Sequence, residues 1–293
     1  MITTEHLTKT YGSRRVVDDL TFTAPPGSVT AFLGPNGAGK STTMRMICAL
    51  ARPTGGSARV GGEPFTALAN PGRVVGQLLD SGALHRGRTG AEILRLALLT
   101  VDRPTGLAGE LLERVGLTGA ADRRVRAYSL GMRQRLGLAV ALAGDPGILV
   151  LDEPFNGLDP EGIRWFRGVL RDFADDGGTV LLSSHLLAEV QTVADRYVVI
   201  GAGRLRAEGT AAELLGSGSV RVDAADRAAL VAALGDAGLE TLGAETPSTS
   251  AGVEVRAGAD EVGRAAQAAG IPLTLLAPAS SALEDAFLSL TAA

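Results

Sequence analysis

The first 33 residues contain short apolar runs separated by turn residues. Runs of this length that end at glycine or proline predict β-strands rather than helices. A helical pattern follows and stops just before Pro53, as expected of a residue that cannot continue a helix. The predicted elements are strands over Ile2–Lys9, Val16–Ala24 and Val29–Leu33 and a helix over about 40–50.

The pattern in the middle of the chain changes from helical to alternating strands and helices. Residues 85–145 are helical in pattern, with apolar faces formed by Ile93, Leu94, Leu96, Ala97 and Leu98 and by Leu111, Leu112 and Val115. Continuous apolar runs that alternate with helices come next, and they indicate a mostly parallel α/β sheet. Strands are predicted over Ile148–Leu151, Thr179–Ser183 and Tyr197–Ile200, and helices over Glu161–Ala174 and Leu186–Ala194.

The composition shifts at residues 216–219, where Gly-Ser-Gly-Ser predicts a linker. A small α+β module is expected after it, with Pro272 marking the last strand as an edge strand. A final amphipathic helix would carry Leu283, Phe287 and Leu290 on one face. The predicted domains are 1–215, with a helical subdomain at about 80–140, and 219–293. The module's elements are strands Val220–Val222, Gly252–Arg256 and Ile271–Leu276 and helices Arg227–Ala237 and Asp260–Ala269.

Composition and charge exclude several classes of protein. Apolar residues make up 45% and charged residues 20%, which is ordinary globular usage and argues against disorder. A net charge of −4 and a pI near 5.5 argue against nucleic acid as a partner. Cys48 is the only cysteine, so disulfide scaffolds and multi-cysteine zinc sites are excluded. No apolar stretch is long enough for a membrane span, and the N-terminus does not have the pattern of a signal peptide.

One lysine lies in a glycine-rich loop, although the chain otherwise uses arginine almost exclusively. Residues 34–41, Gly-Pro-Asn-Gly-Ala-Gly-Lys-Ser, match the phosphate-loop pattern G-x-x-x-x-G-K-[ST] between a strand and a helix. Such a loop turns its backbone N–H groups towards an anion at the start of a helix. Lys40 would reach the β- and γ-phosphates, and the Ser41 hydroxyl would bind Mg²⁺. The expected nucleotide-binding residues are Gly34, Pro35, Asn36, Gly37, Ala38, Gly39, Lys40, Ser41 and Thr42.

Two carboxylates follow a buried strand directly. Asp152 and Glu153 come after Ile148–Leu151, at the carboxyl end where open α/β sheets bind ligands. We expect Asp152 to hold Mg²⁺ through water and Glu153 to orient and deprotonate the attacking water.

These two motifs, with further matches in the same order, resemble the ATP-binding subunit of ABC transporters over residues 1–215. The resemblance implies an α/β fold: a P-loop NTPase core of the ABC ATPase type, with antiparallel β and helical subdomains and a small C-terminal α+β module. Tyr11 resembles the aromatic residue that stacks on adenine. Residues 156–160, Asn-Gly-Leu-Asp-Pro, resemble the loop that crosses the dimer interface, with Asp159 as its key residue. His185 resembles the switch histidine that contacts the γ-phosphate.

Residues 128–135, Tyr-Ser-Leu-Gly-Met-Arg-Gln-Arg, resemble the family signature, usually L-S-G-G-Q. Only Ser129 and Gly131 of that core are kept, because Leu130 replaces a glycine and Met132 replaces the glutamine. The site requires a hydroxyl and a free N–H at a helix start. Ser129 and Gly131 meet that requirement, and Leu130 is expected to contribute only its backbone.

The loop before the helical subdomain also departs from the family pattern. Aligning Val75, Gly76 and Thr89 with the family puts Asp80 where a glutamine is usual, and Gln77 comes three residues earlier. An acidic residue can contact a metal-bound water, so Asp80 is the favoured residue and Gln77 the alternative.

The resemblance implies an ATPase subunit that uses ATP and Mg²⁺ to power a separate transmembrane permease. Residues 283–291 resemble the ending of drug- and antibiotic-export ATPases, so export of a drug, antibiotic or other hydrophobic compound is expected. Two such subunits would form a homodimer across ATP, in the cytoplasm and peripheral on the inner face of the membrane through the permease. The alternative is a soluble ABC ATPase not coupled to transport. Chromosome and repair types of that class need a long coiled coil, yet only about 110 residues separate the two motifs.

Overall fold

The structure is a computed structural model that describes residues 1–215, 219–242 and 252–278. Residues 216–218 of the predicted linker lie outside these ranges, as does the predicted final helix with Leu283, Phe287 and Leu290. Contacts between residues divide the chain into two compact units, and the division falls between Glu208 and Gly209. The domain bounds of 1–215 and 219–293 remain predictions.

Nine strands and six α-helices lie in the described part of the first unit. The strands are β1 (Ile2–Tyr11), β2 (Arg14–Ala24), β3 (Ser28–Leu33), β4 (Gly55–Val60), β5 (Val75–Leu78), β6 (Ile148–Leu151), β7 (Thr179–Ser184), β8 (Arg196–Gly201) and β9 (Arg204–Gly209). The helices are α1 (Lys40–Ile47), α2 (Gly90–Thr100), α3 (Ala108–Arg114), α4 (Leu130–Leu142), α5 (Pro160–Asp175) and α6 (Leu187–Val190).

A six-stranded sheet in the order β5-β6-β7-β3-β8-β9 forms the centre of this unit. Strands β5, β6, β7, β3 and β8 pair in parallel. Every residue of β3, β6 and β7 is buried, as expected of parallel strands covered on both faces. This arrangement brings the ends of β3, β6 and β7 to one edge of the sheet.

A three-stranded antiparallel sheet in the order β2-β1-β4 packs beside the central sheet. Phe22 on β2 stacks on Phe32 of β3, with ring centroids 5.2 Å apart. The apolar cores of the two sheets are therefore continuous, and the cluster also includes Ile2, Leu20 and Met44. The chain's mixed α/β architecture confirms the predicted fold class.

The predicted helical region consists of α2, α3 and α4 around a core of their own. Thr89 caps α2 through a reciprocal pair of hydrogen bonds with Glu92. Of the first predicted apolar face, Leu94 and Leu98 are fully buried, whereas Leu96 is 42% exposed. Ile93 and Ala97 are partly buried against the same core, so Leu96 is the one residue of the predicted face that lies outside it. Among the helices of the described ranges, none is long and apolar enough to cross a membrane.

Helix α4 packs closely against β5, the first strand of the central sheet, and glycines permit this. A Cβ atom on Gly76 of β5 would overlap the carbonyl oxygen of Ala141 on α4. A Cβ atom on Gly137 of α4 would likewise overlap the side chain of Leu78. Because both positions lack a side chain, α4 can pack directly against β5.

Three strands of the first unit were not predicted from the sequence. Strand β4 is glycine-rich, β9 is largely polar, and β5 is only Val75–Leu78 with a glycine inside. Each becomes a strand because a neighbouring strand offers hydrogen bonds, and their own sequences contain little signal of it. Helix α6 also ends at Val190, earlier than predicted.

The second unit contains α7 (Ala211–Leu215), β10 (Ser219–Ala224), α8 (Arg227–Asp236), β11 (Thr241–Leu242), β12 (Val253–Arg256), α9 (Ala259–Ala268) and β13 (Leu273–Pro278). Its sheet is antiparallel with the order β11-β12-β10-β13, so among the described strands the one after Pro272 is an edge strand, as predicted. The order and the alternation of elements from β10 to β13 form a split βαβ pattern. Val222, Leu230, Val255 and Val262 lie in its core.

The close approach of α4 to β5 predicts the effect of one substitution. Gly76→Ala should lower the free energy of unfolding by about 1–3 kcal/mol, because the backbone of Ala141 cannot move aside easily. Gly168→Ala, on the exposed face of α5 with open space around it, should instead raise that free energy by about 0.5–1 kcal/mol. Urea denaturation of both variants measures the difference. Equal stabilities would contradict the close packing.

Candidate functional site

The phosphate loop connects β3 to α1 with the geometry that its motif predicts. Gly37 and Gly39 have φ angles of 83° and 106°, a conformation that L-residues with a side chain rarely adopt. A Cβ atom on Gly39 would also lie 2.7 Å from the carbonyl oxygen of Val16. The glycines are therefore required both for the turn and for the approach of β2.

Lys40 is buried at the base of this loop, with 6% of the residue exposed. Its Nζ donates hydrogen bonds to the carbonyl oxygens of Gly34 at 2.6 Å and Pro35 at 3.4 Å. The backbone of the loop thus holds the ammonium group at the opening of the loop. A cleft of about 200 Å³ lies there, lined by Val16, Asn36, Gly37, Gly39, Lys40, Ser41, Thr42 and Glu153.

A larger cleft, of about 430 Å³, lies at the other end of α1. Apolar side chains such as Met46, Pro53 and Phe65 line much of it, and none of the predicted site residues borders it. The predicted site residues therefore line the smaller, more polar cleft at Lys40.

Glu153 lies between the two other predicted catalytic residues. Its Oε1 is 3.4 Å from Lys40 Nζ, and its Oε2 is 2.9 Å from His185 Nδ1. Three residues that are far apart in the sequence therefore meet at one carboxylate. Glu153 also has a φ of 48°, in the left-handed region, so its backbone is held in an uncommon conformation.

Ser183 connects the carboxyl ends of β6 and β7. Its fully buried hydroxyl donates to Asp152 Oδ1 at 2.5 Å and accepts a hydrogen bond from the N–H of Glu153 at 2.9 Å. One hydroxyl thereby orients the predicted metal-binding carboxylate and the backbone of the predicted general base.

Asp80 lies beyond the end of β5, at the same sheet edge as Asp152. Leu78 ends β5, and its carbonyl oxygen accepts a hydrogen bond from Asp152 N at 2.7 Å. The exposed Asp80 side chain accepts from Gly82 N at 2.7 Å, whereas Gln77 lies within β5 opposite Val150. Within the described ranges, no three His, Cys, Asp or Glu side chains group closely enough to hold a metal ion. The assignment of Asp80 stays a prediction.

The predicted signature residues begin α4. Ser129 is the N-cap, and its Oγ accepts a hydrogen bond from Met132 N at 3.1 Å. The side chain of Leu130 covers Gly157 so closely that a Cβ atom there would overlap it. Gly131 also faces the segment at 157–158, because a Cβ atom on it would lie 3.1 Å from the carbonyl oxygen of Gly157. The start of α4 and the predicted interface loop are therefore packed together in one chain.

Asp159 and Tyr11 lie at two exposed turns. Asp159 caps α5, and its Oδ1 accepts from Gly162 N at 2.7 Å. Tyr11 ends β1 with 51% of the residue exposed, and Lys9 Nζ lies 4.8 Å from the centre of its ring. Their roles at an interface and at adenine remain predictions.

Two residues at the site were missed in the sequence. Ser183 was available as the hydroxyl two positions before His185, but nothing local shows that it faces Asp152. Gln134 lies on α4, five positions after Ser129, and its Nε2 donates to the carbonyl oxygen of Glu153 at 3.4 Å. It belongs to the segment 128–135 that resembles the signature, but nothing in the local sequence shows that it reaches Glu153.

Comparisons with known proteins agree with this geometry. The family model described as "ABC transporter" matches residues 17–156. The daunorubicin/doxorubicin resistance ATP-binding protein DrrA of Streptomyces peucetius is 43% identical over 241 residues, which cover 78% of this chain and 72% of that protein. The daunorubicin resistance ATP-binding protein DrrA3 of Streptomyces coeruleorubidus is 39% identical and covers 99% of this chain and 95% of its own length.

A solved structure of an ATP-binding subunit of an ABC transporter is 28% identical and has a TM-score of 0.67. The match covers 73% of this chain and 91% of that chain. The predicted resemblance is confirmed by the family model, the curated relatives and the fold together. The chain is a member of the ABC transporter family and belongs to its ATP-binding subunits.

Proposed function

We propose that this chain hydrolyses ATP to power the export of a drug, an antibiotic or another hydrophobic compound through a separate membrane permease. ATP binding and hydrolysis are properties of the family to which the chain belongs. The observation that carries the catalytic assignment is the convergence of Lys40, Glu153 and His185 at the mouth of the phosphate loop. The export assignment is supported by two relatives whose names state resistance to daunorubicin.

The geometry supports a division of roles among the three residues. The loop backbone and the Lys40 ammonium would bind the β- and γ-phosphates, because they form a concave, positively charged site. Glu153 would accept the proton of the attacking water, and its carboxylate has the free acceptor sites for it. His185, in hydrogen-bonding distance of Glu153, would orient that carboxylate and contact the γ-phosphate.

The oxygen donors at the site suit Mg²⁺. The ion prefers one or two carboxylates and hydroxyls, with water and phosphate oxygens as its other ligands. Ser41 in the first turn of α1 would bind it directly, Asp152 through water, and Asp80 is the further proposed contact. Asp152 is already oriented by Ser183 at 2.5 Å. When bound, Mg²⁺ neutralises charge on the phosphates.

We also propose that two copies of the chain form a homodimer with ATP between them. The cleft at Lys40 is lined by residues of the phosphate loop, β2 and Glu153, and not by Ser129 or Gly131. If the signature acts on a γ-phosphate, that phosphate belongs to the partner's site. A permease partner would then place the dimer at the inner, cytoplasmic face of the membrane. Nucleic acid is not expected as a partner.

Replacing the proposed general base tests the mechanism. Glu153→Gln should keep ATP affinity while lowering kcat by about 10²–10⁴-fold, because the amide cannot accept the proton of water. Glu161→Gln, an exposed change in the first turn of α5, is the matched control and should keep the wild-type rate. Steady-state phosphate release measures both. A wild-type rate in Glu153→Gln would remove the residue from the mechanism.

Replacing the loop lysine tests the phosphate site. Lys40→Ala should weaken ATP binding and abolish turnover, because it removes the charge that faces the phosphates. Arg45→Ala removes an exposed charge from the last turn of the same helix and should leave both properties unchanged. Titration with a fluorescent ATP analogue gives the affinities. Equal affinities of the two variants would contradict the phosphate-loop assignment.

The dimer proposal predicts nucleotide-driven assembly. Glu153→Gln should dimerise with ATP and Mg²⁺, because it binds nucleotide but cannot hydrolyse it and reopen. Light scattering at high protein concentration measures the mass. A strictly monomeric, ATP-bound Glu153→Gln protein would overturn the model.

A mixing experiment tests which residues each subunit supplies. Ser129→Arg subunits combined with Lys40→Ala subunits should regain part of the ATPase activity, since one composite site per heterodimer is intact. Each variant alone should be inactive. No regained activity in a verified heterodimer would show that Ser129 does not complete the partner's site.

A further inference from the structure

Gln134 is a buried polar side chain that the proposed roles above do not use. It lies on α4 and is 4% exposed. Its Nε2 donates to the carbonyl oxygen of Glu153, and this distance is 3.4 Å. Its Oε1 is one of two buried side-chain oxygen or nitrogen atoms in the described part of the chain that have no hydrogen-bond partner; the other is Thr30 Oγ1.

This arrangement is a poor way to stabilise a fold. A buried amide oxygen without a partner loses its hydrogen bonds to water and gains none in return. The single hydrogen bond of Nε2 leaves this oxygen without a partner. A leucine or methionine of similar size would fill the same space without that loss. The glutamine therefore calls for another explanation.

The residue that accepts the hydrogen bond of Gln134, Glu153, supplies that explanation. Glu153 has a φ of 48°, an uncommon conformation for a residue with a side chain, and such a conformation persists only where its surroundings hold it. Its N–H donates to Ser183 Oγ from β7, and its C=O accepts from Gln134 Nε2 of α4 at 3.4 Å and from the N–H of Asn156 at 3.2 Å. Two side chains from different elements thus anchor the peptide groups on both sides of this residue.

Helix α4 can hold this position accurately, because it cannot shift easily. Gly76 and Gly137 let it lie directly against β5, so closely that a Cβ atom on either glycine would overlap the facing element. The same helix begins with Ser129 and Gly131, one turn before Gln134. The helix start that is proposed to contact the partner's ATP is therefore tied to the backbone of this chain's own Glu153.

We propose that Gln134 is a positioning residue for ATP hydrolysis: its amide holds the backbone of Glu153 so that the carboxylate is aimed at the attacking water. The proposal rests on the proposed function of Glu153 as the general base. Gln134 contacts neither nucleotide nor water in this scheme and acts only through Glu153.

The first test separates positioning from stability. Gln134→Leu should lower kcat by about 10–100-fold, the scale expected when a reacting group is slightly misplaced, while the KM for ATP stays within twofold. Its Tm should equal or exceed that of the wild type, because a buried polar group is removed. Gln134→Met, which keeps the side-chain length without a donor, should behave in the same way and replaces Gln134→Leu if that variant does not fold.

Thr30→Val is the matched control. It removes the other buried oxygen that has no partner, on β3, and leaves Glu153 untouched. It should keep the wild-type kcat. A kcat within twofold of the wild type for both Gln134 variants would overturn the proposal, as would an equal loss of kcat in Thr30→Val.

A double-mutant cycle tests whether Gln134 acts through Glu153. In a Glu153→Gln background, Gln134→Leu should lower the residual ATPase rate by less than threefold, because residues that act as a unit are not additive. The same 10–100-fold loss in both backgrounds would show a general structural effect and overturn the proposal. A wild-type protein without ATPase activity would instead refute the proposed function itself, so the two failures are distinguishable.

Discussion

The hydroxyl of Ser183 makes the pair of hydrogen bonds on which the site's geometry depends. Strand β7 lies between β6 and β3, and Ser183 is paired with Phe32, just before the phosphate loop begins. From that position it binds both Asp152 Oδ1 and the N–H of Glu153. The loop that binds phosphates and the carboxylates that act on them are thus set relative to each other by one buried side chain and the parallel register of three strands.

The backbone of Glu153 needs this support because its conformation is unfavourable on its own. A left-handed residue with a long side chain costs conformational energy, which the surrounding hydrogen bonds must offset. In this conformation the carboxylate of Glu153 contacts both Lys40 and His185. Its Oε1 lies 3.4 Å from Lys40 Nζ, and its Oε2 lies 2.9 Å from His185 Nδ1.

The start of α4 shows how a departure from the family signature is accommodated. Leu130 stands where a glycine is usual, and its side chain needs space that Gly157 provides. The substitution therefore adds an apolar contact between the signature and the loop at 156–159. Met132 keeps its N–H in the capping bond to Ser129, so the helix start is still formed. The departure changes what the signature packs against without removing its capped helix start.

The sequence by itself determined the family, the fold class and the motif residues. The phosphate loop, Asp152, Glu153 and His185 each belong to a short segment whose chemistry is encoded locally, beside an apolar strand. Only the tertiary structure decided what joins these segments: Ser183 to Asp152, Gln134 to Glu153, and Leu130 to Gly157. The tertiary structure also decided strands β4, β5 and β9, because each forms through hydrogen bonds with a neighbouring strand. A contact between residues far apart in the chain depends on register and packing distance, and neither is written in the local pattern of either partner.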